Sequence, residues 1–463
     1  MKRTRIILTA LLPGFVAVAE GPVSLTLEEA IATAMERNRT LARGQMQLRG
    51  REMDVALART AFDTEAGPVL QSASLGDDTQ WTYGIQASKA TPYGTRVGAS
   101  GTFLDRGGSP GGNEQALTVS LSQPLFRRFG RTVAEEPVRM QLDQYRAERR
   151  HWEMQRADLV MGLVALFETI ARIDGQVAFE TGYLDRIRRL GALVRAHERQ
   201  GRSTRVDVVR MELQGGEAQA RLAALVERRD AASRELAETL GADLETPLNP
   251  HHPPALDLAL QKAEDAVATA VSNRLDLAQA IDDADVARRK TSIARRNRWP
   301  DISIGLSMRH AWMDVPVPGL DDERTDLIAS AQVDGYPWRA ADRLGTSRAE
   351  LDETSAAAIV DIRREAIARE VLQTLSECRR AATELGIAES NRKLAEDGAR
   401  LARRLYEMGR GDAFALSDAE TQLARAENRL LEVRSSHRLS AYAVLHATGI
   451  LIEHPAELKP QGD

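Results

Sequence analysis

Two hydrophobic periods, one helical and one of two, follow each other twice along this chain in the same order. From Leu25 to Thr60 the pattern is helical: Ala30, Ile31, Ala34 and Leu41 recur on one face, Ser24 or Thr26 can cap, and Glu28 and Glu29 suit the positive end. After Phe62 the period becomes two. Trp81, Tyr83, Ile85 and Ala87 alternate with Thr82, Gly84, Gln86 and Ser88; Val97, Ala99, Gly101 and Phe103 form a second run, and Leu117, Val119 and Leu121 a third against Thr118, Ser120 and Ser122. These predict strands with one apolar and one small, polar face, joined in one place by a turn at Thr91-Pro92-Tyr93-Gly94. Helical patterning resumes near Arg131 and runs to His197, about 100 Å at 1.5 Å per residue.

A heptad seam follows each long helical run. In Gly409 to Gly449, Leu416, Leu423, Leu430 and Val444 recur every seven residues, with His437 interrupting. Ala419, Ala426, Val433, Ser440 and Ala447 stand three residues later. A small second row lets a partner helix approach closely. Sliding back 208 positions without a gap lays Gly201 to Gly241 under this stretch, with Gly201, Arg202, Glu212, Gln214, Ala218, Arg221, Leu222 and Gly241 identical to their counterparts. The common register and shared seam point to an internal duplication.

The second half repeats the order. Leu256 to Arg298 is helical, with Asn273-Arg274 standing where Asn38-Arg39 stand earlier. Ile302, Ile304, Leu306 and Met308, then Leu327, Ala329, Ala331 and Val333, give two more strands, and Arg339 to Met408 a second helix of about 100 Å. The expected organisation is a signal over residues 1–19 and a first repeat over 20–246, its strands at about 63–125 and its helical hairpin at about 131–241. A Pro-rich linker follows at 247–255, then a second repeat over 256–450 with strands at about 300–335 and a hairpin at about 339–449, and a tail over 451–463.

Composition narrows the classes. Charged residues make up 28% and aromatics 4%, which suits long, surface-rich helices better than a compact enzyme. A net charge of −5 argues against nucleic acid, whose phosphates need a basic face. Cys378 is the only cysteine, so neither a disulfide framework nor a cysteine metal cluster is available. Lys2, Arg3 and Arg5, the apolar run Ile6 to Val18 and Ala17-Val18-Ala19 before Glu20 form an export signal. No 18-residue apolar run lies beyond it, so a membrane form of this chain is a barrel. Gly107, Gly108, Gly111 and Gly112 read as a loop tip, since no Lys-Ser/Thr pair follows as a phosphate cradle requires. His251 and His252 lie in the linker and the other histidines lack metal-ligand spacing. No catalytic, cofactor or metal residues are expected.

Three or four strands from one repeat and two from the other cannot close a barrel, and an open sheet leaves edges unsatisfied in lipid. Pooling strands among copies resolves this, with the apolar side to lipid and the Ser/Gly/Gln side to water. Trp81, Trp299, Trp312 and Trp338 lie in or beside strands, where an interfacial girdle would put them. A soluble sandwich with buried aromatics is the competing reading. The expected fold is α+β: a long α-helical, coiled-coil barrel continuous with a transmembrane β-barrel completed by oligomerisation, in two repeats.

The chain resembles the outer-membrane efflux proteins, the TolC-like channels of tripartite pumps and type I secretion systems. The marks are Leu25-Thr26-Leu27-Glu28-Glu29-Ala30, Asn38-Arg39, Ser122-Gln123-Pro124-Leu125-Phe126, Asn273-Arg274-Leu275-Asp276-Leu277 and Trp299-Pro300-Asp301-Ile302-Ser303. They close with Tyr406, Gly409, Ala419, Glu420, Leu423 and Ala426 down to Gly449. Tyr336-Pro337-Trp338 departs from the Pro-Leu-Phe exit at Pro124. The resemblance implies a homotrimer in the outer membrane, helices in the periplasm, and a passive duct joined to a periplasmic adaptor and an inner-membrane transporter. It also implies a gate just after tip turns, here Gly201-Arg202 and Gly409-Arg410. The gate's acidic positions fall on Asp418, with Ala415 at the other place, and on Asp207, with Arg210 at the other. Carboxylates in a narrow pore favour cations and can pair with Arg to hold it shut; the plain alternative is that Asp207 and Asp418 cap or solvate a helix start. The rival function is a soluble periplasmic coiled-coil adaptor or scaffold.

Overall fold

The computed structural model describes residues 23–75, 78–105, 113–245, 248–251, 262–314, 321–334 and 340–460. The expected signal over 1–19, the glycines Gly107 to Gly112, the linker from 252 and the Tyr336-Pro337-Trp338 exit lie outside the described residues. In chain order the elements are β1 (Val23–Leu25), α1 (Leu27–Arg37), α2 (Arg39–Arg59), β2 (Thr64–Leu75), β3 (Asp78–Ala90), β4 (Arg96–Asp105) and β5 (Asn113–Pro124). Next come α3 (Arg131–Ala134), α4 (Glu136–Arg199), α5 (Arg205–Leu240), β6 (Leu248–Pro250), α6 (Ala263–Asn273) and α7 (Leu275–Arg296). The chain ends with β7 (Asp301–Asp314), β8 (Asp321–Asp334), α8 (Ala340–Glu407) and α9 (Ala413–Ala447). No described helix is long and apolar enough to cross a membrane.

The helix expected over Leu25 to Thr60 is two. Thr26 caps α1 in a reciprocal capping box with Glu29, whose carboxyl these hydrogen bonds hold below its ordinary pKa. Asn38 then turns extended and ends the helix; its Oδ1 accepts from the Thr40 and Leu41 amides at 2.9 and 3.1 Å and so starts α2. Arg274 makes the matching break between α6 and α7. Apolar spacing persists across both breaks, so periodicity alone does not reveal them.

The described residues fall into two compact units. One, from residues 43–157, 262–373 and 447–460, holds an all-antiparallel six-stranded sheet of order β2-β3-β4-β5-β7-β8. Register places Leu70, Tyr83, Phe103, Leu117, Val119, Leu121, Leu306, Met308 and Leu327 on one face. All of them are exposed, Leu70 and Leu327 at 67% and 70%. Thr82, Gln86, Ser100, Thr102, Thr118, Ser120, Ser307 and Ser330 share the other face, where Val69, Leu104, Met313 and Ile328 are large apolar exceptions. That polar face is the concave one. A Cβ on Gly84 would stand 2.4 Å from the Gly101 carbonyl oxygen and one on Gly305 2.6 Å from Ser330 Oγ, whereas one on Gly101, on the apolar face, would meet nothing. Glycine on the inner face lets the sheet curl toward its polar side.

Helices of this unit form a second row. Arg51 on α2 bonds Gln144 on α4; Arg289 on α7 pairs with Glu136 (2.8 Å) and with Asp143 on α4; Arg295 on α7 bonds Glu350 on α8 at 3.1 Å. The order α2-α4-α7-α8 leaves α2 and α8 at the two ends, and both carry exposed apolar side chains: Met46, Met53 and Leu57 on one, Leu344 and Leu351 on the other.

The other unit, from residues 23–42, 158–251 and 374–446, is helical apart from β1 and β6, which pair in parallel. Its helices join in the order α5-α4-α9-α8 through ion pairs, two of them with carboxylates sealed from water. Arg221 on α5 meets Glu180 on α4 at 2.9 Å, Arg438 on α9 meets Glu168 on α4 at 3.3 Å, and Glu168 and Glu180 are 1% and 2% exposed. Arg392 on α8 meets Glu427 on α9 at 2.9 Å. Again the outer helices show apolar stripes, Val206, Val209 and Leu213 on α5 and Ile387, Leu394 and Leu401 on α8.

Candidate functional site

The helical unit ends in two hairpin turns built alike. Gly201 and Gly409 have φ of +70° and +71°, a conformation that costs an L side chain roughly 1–2 kcal/mol. Behind each, the next amide reaches back five residues, Arg202 N to the His197 carbonyl at 2.8 Å and Arg410 N to that of Leu405 at 2.9 Å. This is the Schellman closure of a helix end. Arg202 and Arg410 are exposed.

The helices that follow are capped differently. Thr204 caps α5: its Oγ1 accepts from the Asp207 amide at 3.3 Å, and Asp207 Oδ2 accepts from Thr204 N and Oγ1 at 2.9 and 2.7 Å. Those bonds from Thr204 hold the Asp207 carboxyl below its ordinary pKa. In α9 Asp412 caps, accepting from Ala415 N at 2.6 Å. Arg210 stands 4.0 Å from Asp207, and its guanidinium lies over the Phe414 ring at 4.9 Å, tying one hairpin to the other. Asp418 is exposed on α9 and joins none of these contacts. Asp207 and Arg210 thus cluster at the Thr204 cap, while Asp418 is separate from it.

Beneath the turns, Tyr406 is buried in a cluster with Leu190, Val194, Val208, Met211, Ala413 and Leu416, and its hydroxyl lies 3.2 Å from Ser203 Oγ. One turn deeper, Gln214 Nε2 on α5 donates to Ser417 Oγ on α9 at 2.6 Å. Glu420, fully buried, accepts from Arg186 of α4 at 3.3 Å and from Arg403 of α8. Neither polar link is foreseen from sequence. The duplication offers one signal: Glu420 aligns with Glu212, which stays half-exposed 4.0 Å from Arg195. Aligned glutamates with unequal fates mark where the two hairpins stop being equivalent.

An exposed apolar convex face, a polar concave face, unpaired edge strands β2 and β8 and a polar-locked helix tip define an outer-membrane channel fold. Solved structures agree on that fold. The outer membrane protein VceC of Vibrio cholerae shares 14% identity over 91% of this chain and 96% of its own, with a TM-score of 0.70. The CmeC outer membrane channel of Campylobacter jejuni shares 10% over 93% and 87%, also at 0.70. The MtrE outer membrane channel of Neisseria gonorrhoeae, solved in its open state, shares 16% over 92% and 89%, at 0.63. No curated protein matches the sequence. Residues 266–449 match the model of the outer membrane efflux protein family. CmeC and MtrE are outer membrane channels.

Proposed function

We propose that this chain is the passive outer-membrane exit duct of a tripartite efflux or type I secretion system, working as a homotrimer. It takes substrate from an inner-membrane transporter through a periplasmic adaptor. One observation carries the reading: a curled six-stranded sheet exposes its apolar convex face and leaves both edges unpaired. Burying that face in lipid removes about 25 cal/mol per Å² of apolar surface from water, and joining the edges between copies satisfies the backbone. Aromatics support it from both ends of the strands. Trp81 and Trp312 lie toward the loop end, while Phe126 and Trp299, stacked with centroids 6.0 Å apart, lie at the helix end.

At the tips, Asp207, Arg210 and Asp418 are the proposed gate residues. The cap explains Asp207 without a pore, so Asp418, exposed and outside the cap, is the better candidate for a carboxylate facing the passage. Purified mature protein is expected to run as a heat-modifiable trimer and to conduct ions in planar bilayers, with Asp418→Asn raising single-channel conductance. A freely soluble monomer that conducts nothing overturns the reading; unchanged conductance in the variant removes Asp418 from the gate alone.

A further inference from the structure

We infer that the assembled wall has eighteen strands, with β8 of each copy paired antiparallel to β2 of the next. The inference rests on the homotrimeric channel reading and adds how the copies join and how wide the bore is. Chain direction fits the seam: β2 leads away from the helices and β8 returns toward them, so side by side they are antiparallel like every other pair in the sheet. Three copies of six strands give an even number, as a closed antiparallel barrel needs.

Register makes the seam specific. Straight across the sheet, Thr64 pairs with Lys89, then Val97, Leu121, Leu306 and Ala329. Thr64 is the first residue of β2, but Ala329 lies five residues before the end of β8, so the strands stagger by five residues in five steps. At about 3.4 Å per residue and 4.8 Å per step this is a tilt of about 35°, at the lower end of membrane barrels. A sixth step of the same size sets Ala329 opposite Leu70 of the next copy, two residues on the same apolar face. Leu327 then meets Ser72, and the exposed Leu70 and Leu327 become part of a continuous lipid-facing surface.

The β2–β3 hairpin decides the width. Were it outside the wall, β4 would be the edge and three copies would supply twelve strands. It is instead paired with β4 over ten residues, and it carries Leu70, Trp81, Tyr83 and Ile85 onto the apolar face. Eighteen strands at that spacing and tilt enclose a backbone cylinder about 34 Å across, against about 23 Å for twelve. Barrels of 16–18 strands hold an aqueous channel. Size selection then falls to the helix tips, not to the barrel.

The test is disulfide formation between copies in the full-length protein with Cys378→Ser. Ala329→Cys with Leu70→Cys, and separately Leu327→Cys with Ser72→Cys, should form a covalent ladder ending at three chains on a non-reducing gel. Ile328→Cys with Leu70→Cys, on opposite faces, should not. Linking of Ala329→Cys to Ala99→Cys or Gly101→Cys on β4 overturns the inference and gives twelve strands. A heat-modifiable trimer that links at neither β2 pair overturns the seam and leaves the channel standing; a parent protein that is monomeric loses both.

Discussion

Glu420 gathers two guanidinium groups, from Arg186 and Arg403, at a place where no water reaches it. Removing Glu420 strands two guanidinium groups that are only a quarter to a third exposed, so the cost is below that of a fully buried pair, about 2 kcal/mol. Glu420→Ala is therefore expected to loosen the tip by that order, read as faster amide exchange across α5 and α9, with Glu420→Gln retaining part of the protection. Asp207 acts through its cap. Its folded pKa lies below the unfolded value, so its stabilisation is complete above the ordinary aspartate range and disappears as pH falls through the lowered value. Asp207→Asn should weaken the start of α5 by about 1 kcal/mol near neutral pH and flatten that acid dependence, as followed by amide exchange between pH 7 and pH 3. Glutamate burial was not legible in the sequence, since Glu212 and Glu420 have the same spacing and differ only in what faces them. The tip turns were legible, because glycine followed by arginine recurs at both positions 208 residues apart.

Among elements, the strands carry the clearest signal and the clearest gap. Alternation over Trp81–Ala87, Val97–Phe103 and Leu117–Leu121 marks β3, β4 and β5, and that over Ile302–Met308 and Leu327–Val333 marks β7 and β8. Strand β2 escapes the pattern because Gly67-Pro68 interrupts it, and only pairing with β3 brings it into the sheet. The apolar face predicts an asymmetric response to charge. Val119→Arg, near the middle of β5 on the convex face, should cost about 2–4 kcal/mol of membrane stability, measured by refolding into lipid vesicles. Thr118→Arg, its neighbour on the concave face, should cost far less. Equal losses would mean that the convex face does not meet lipid.

For the molecule as a whole, repetition predicted the kind of fold and curvature explains its openness. In the sheet-bearing unit and in the helical unit alike, the outermost elements show apolar side chains to solvent: Met46 and Leu344 in one, Val206 and Leu394 in the other. A surface of that kind marks a covered face, and in the proposed trimer the neighbouring copies cover it. Dilution of the purified protein in mild detergent should therefore dissociate it with loss of folded signal, not release a stable single chain, which sedimentation with circular dichroism would follow. How the copies meet was not legible in the sequence, because the edge is set by strand order and stagger, and neither follows from period. Along the inner wall, hydroxyls, amides and glycines fill the middle rows, Thr82, Gln86, Ser100, Thr118, Ser120 and Ser307 among them, whereas Arg309 with Glu114 and Arg324 with Asp326 stand as neutralised couples toward the loops. In the proposed duct, a solute of either sign would meet no fixed charge along those rows to cling to, so this stretch would favour throughput over discrimination.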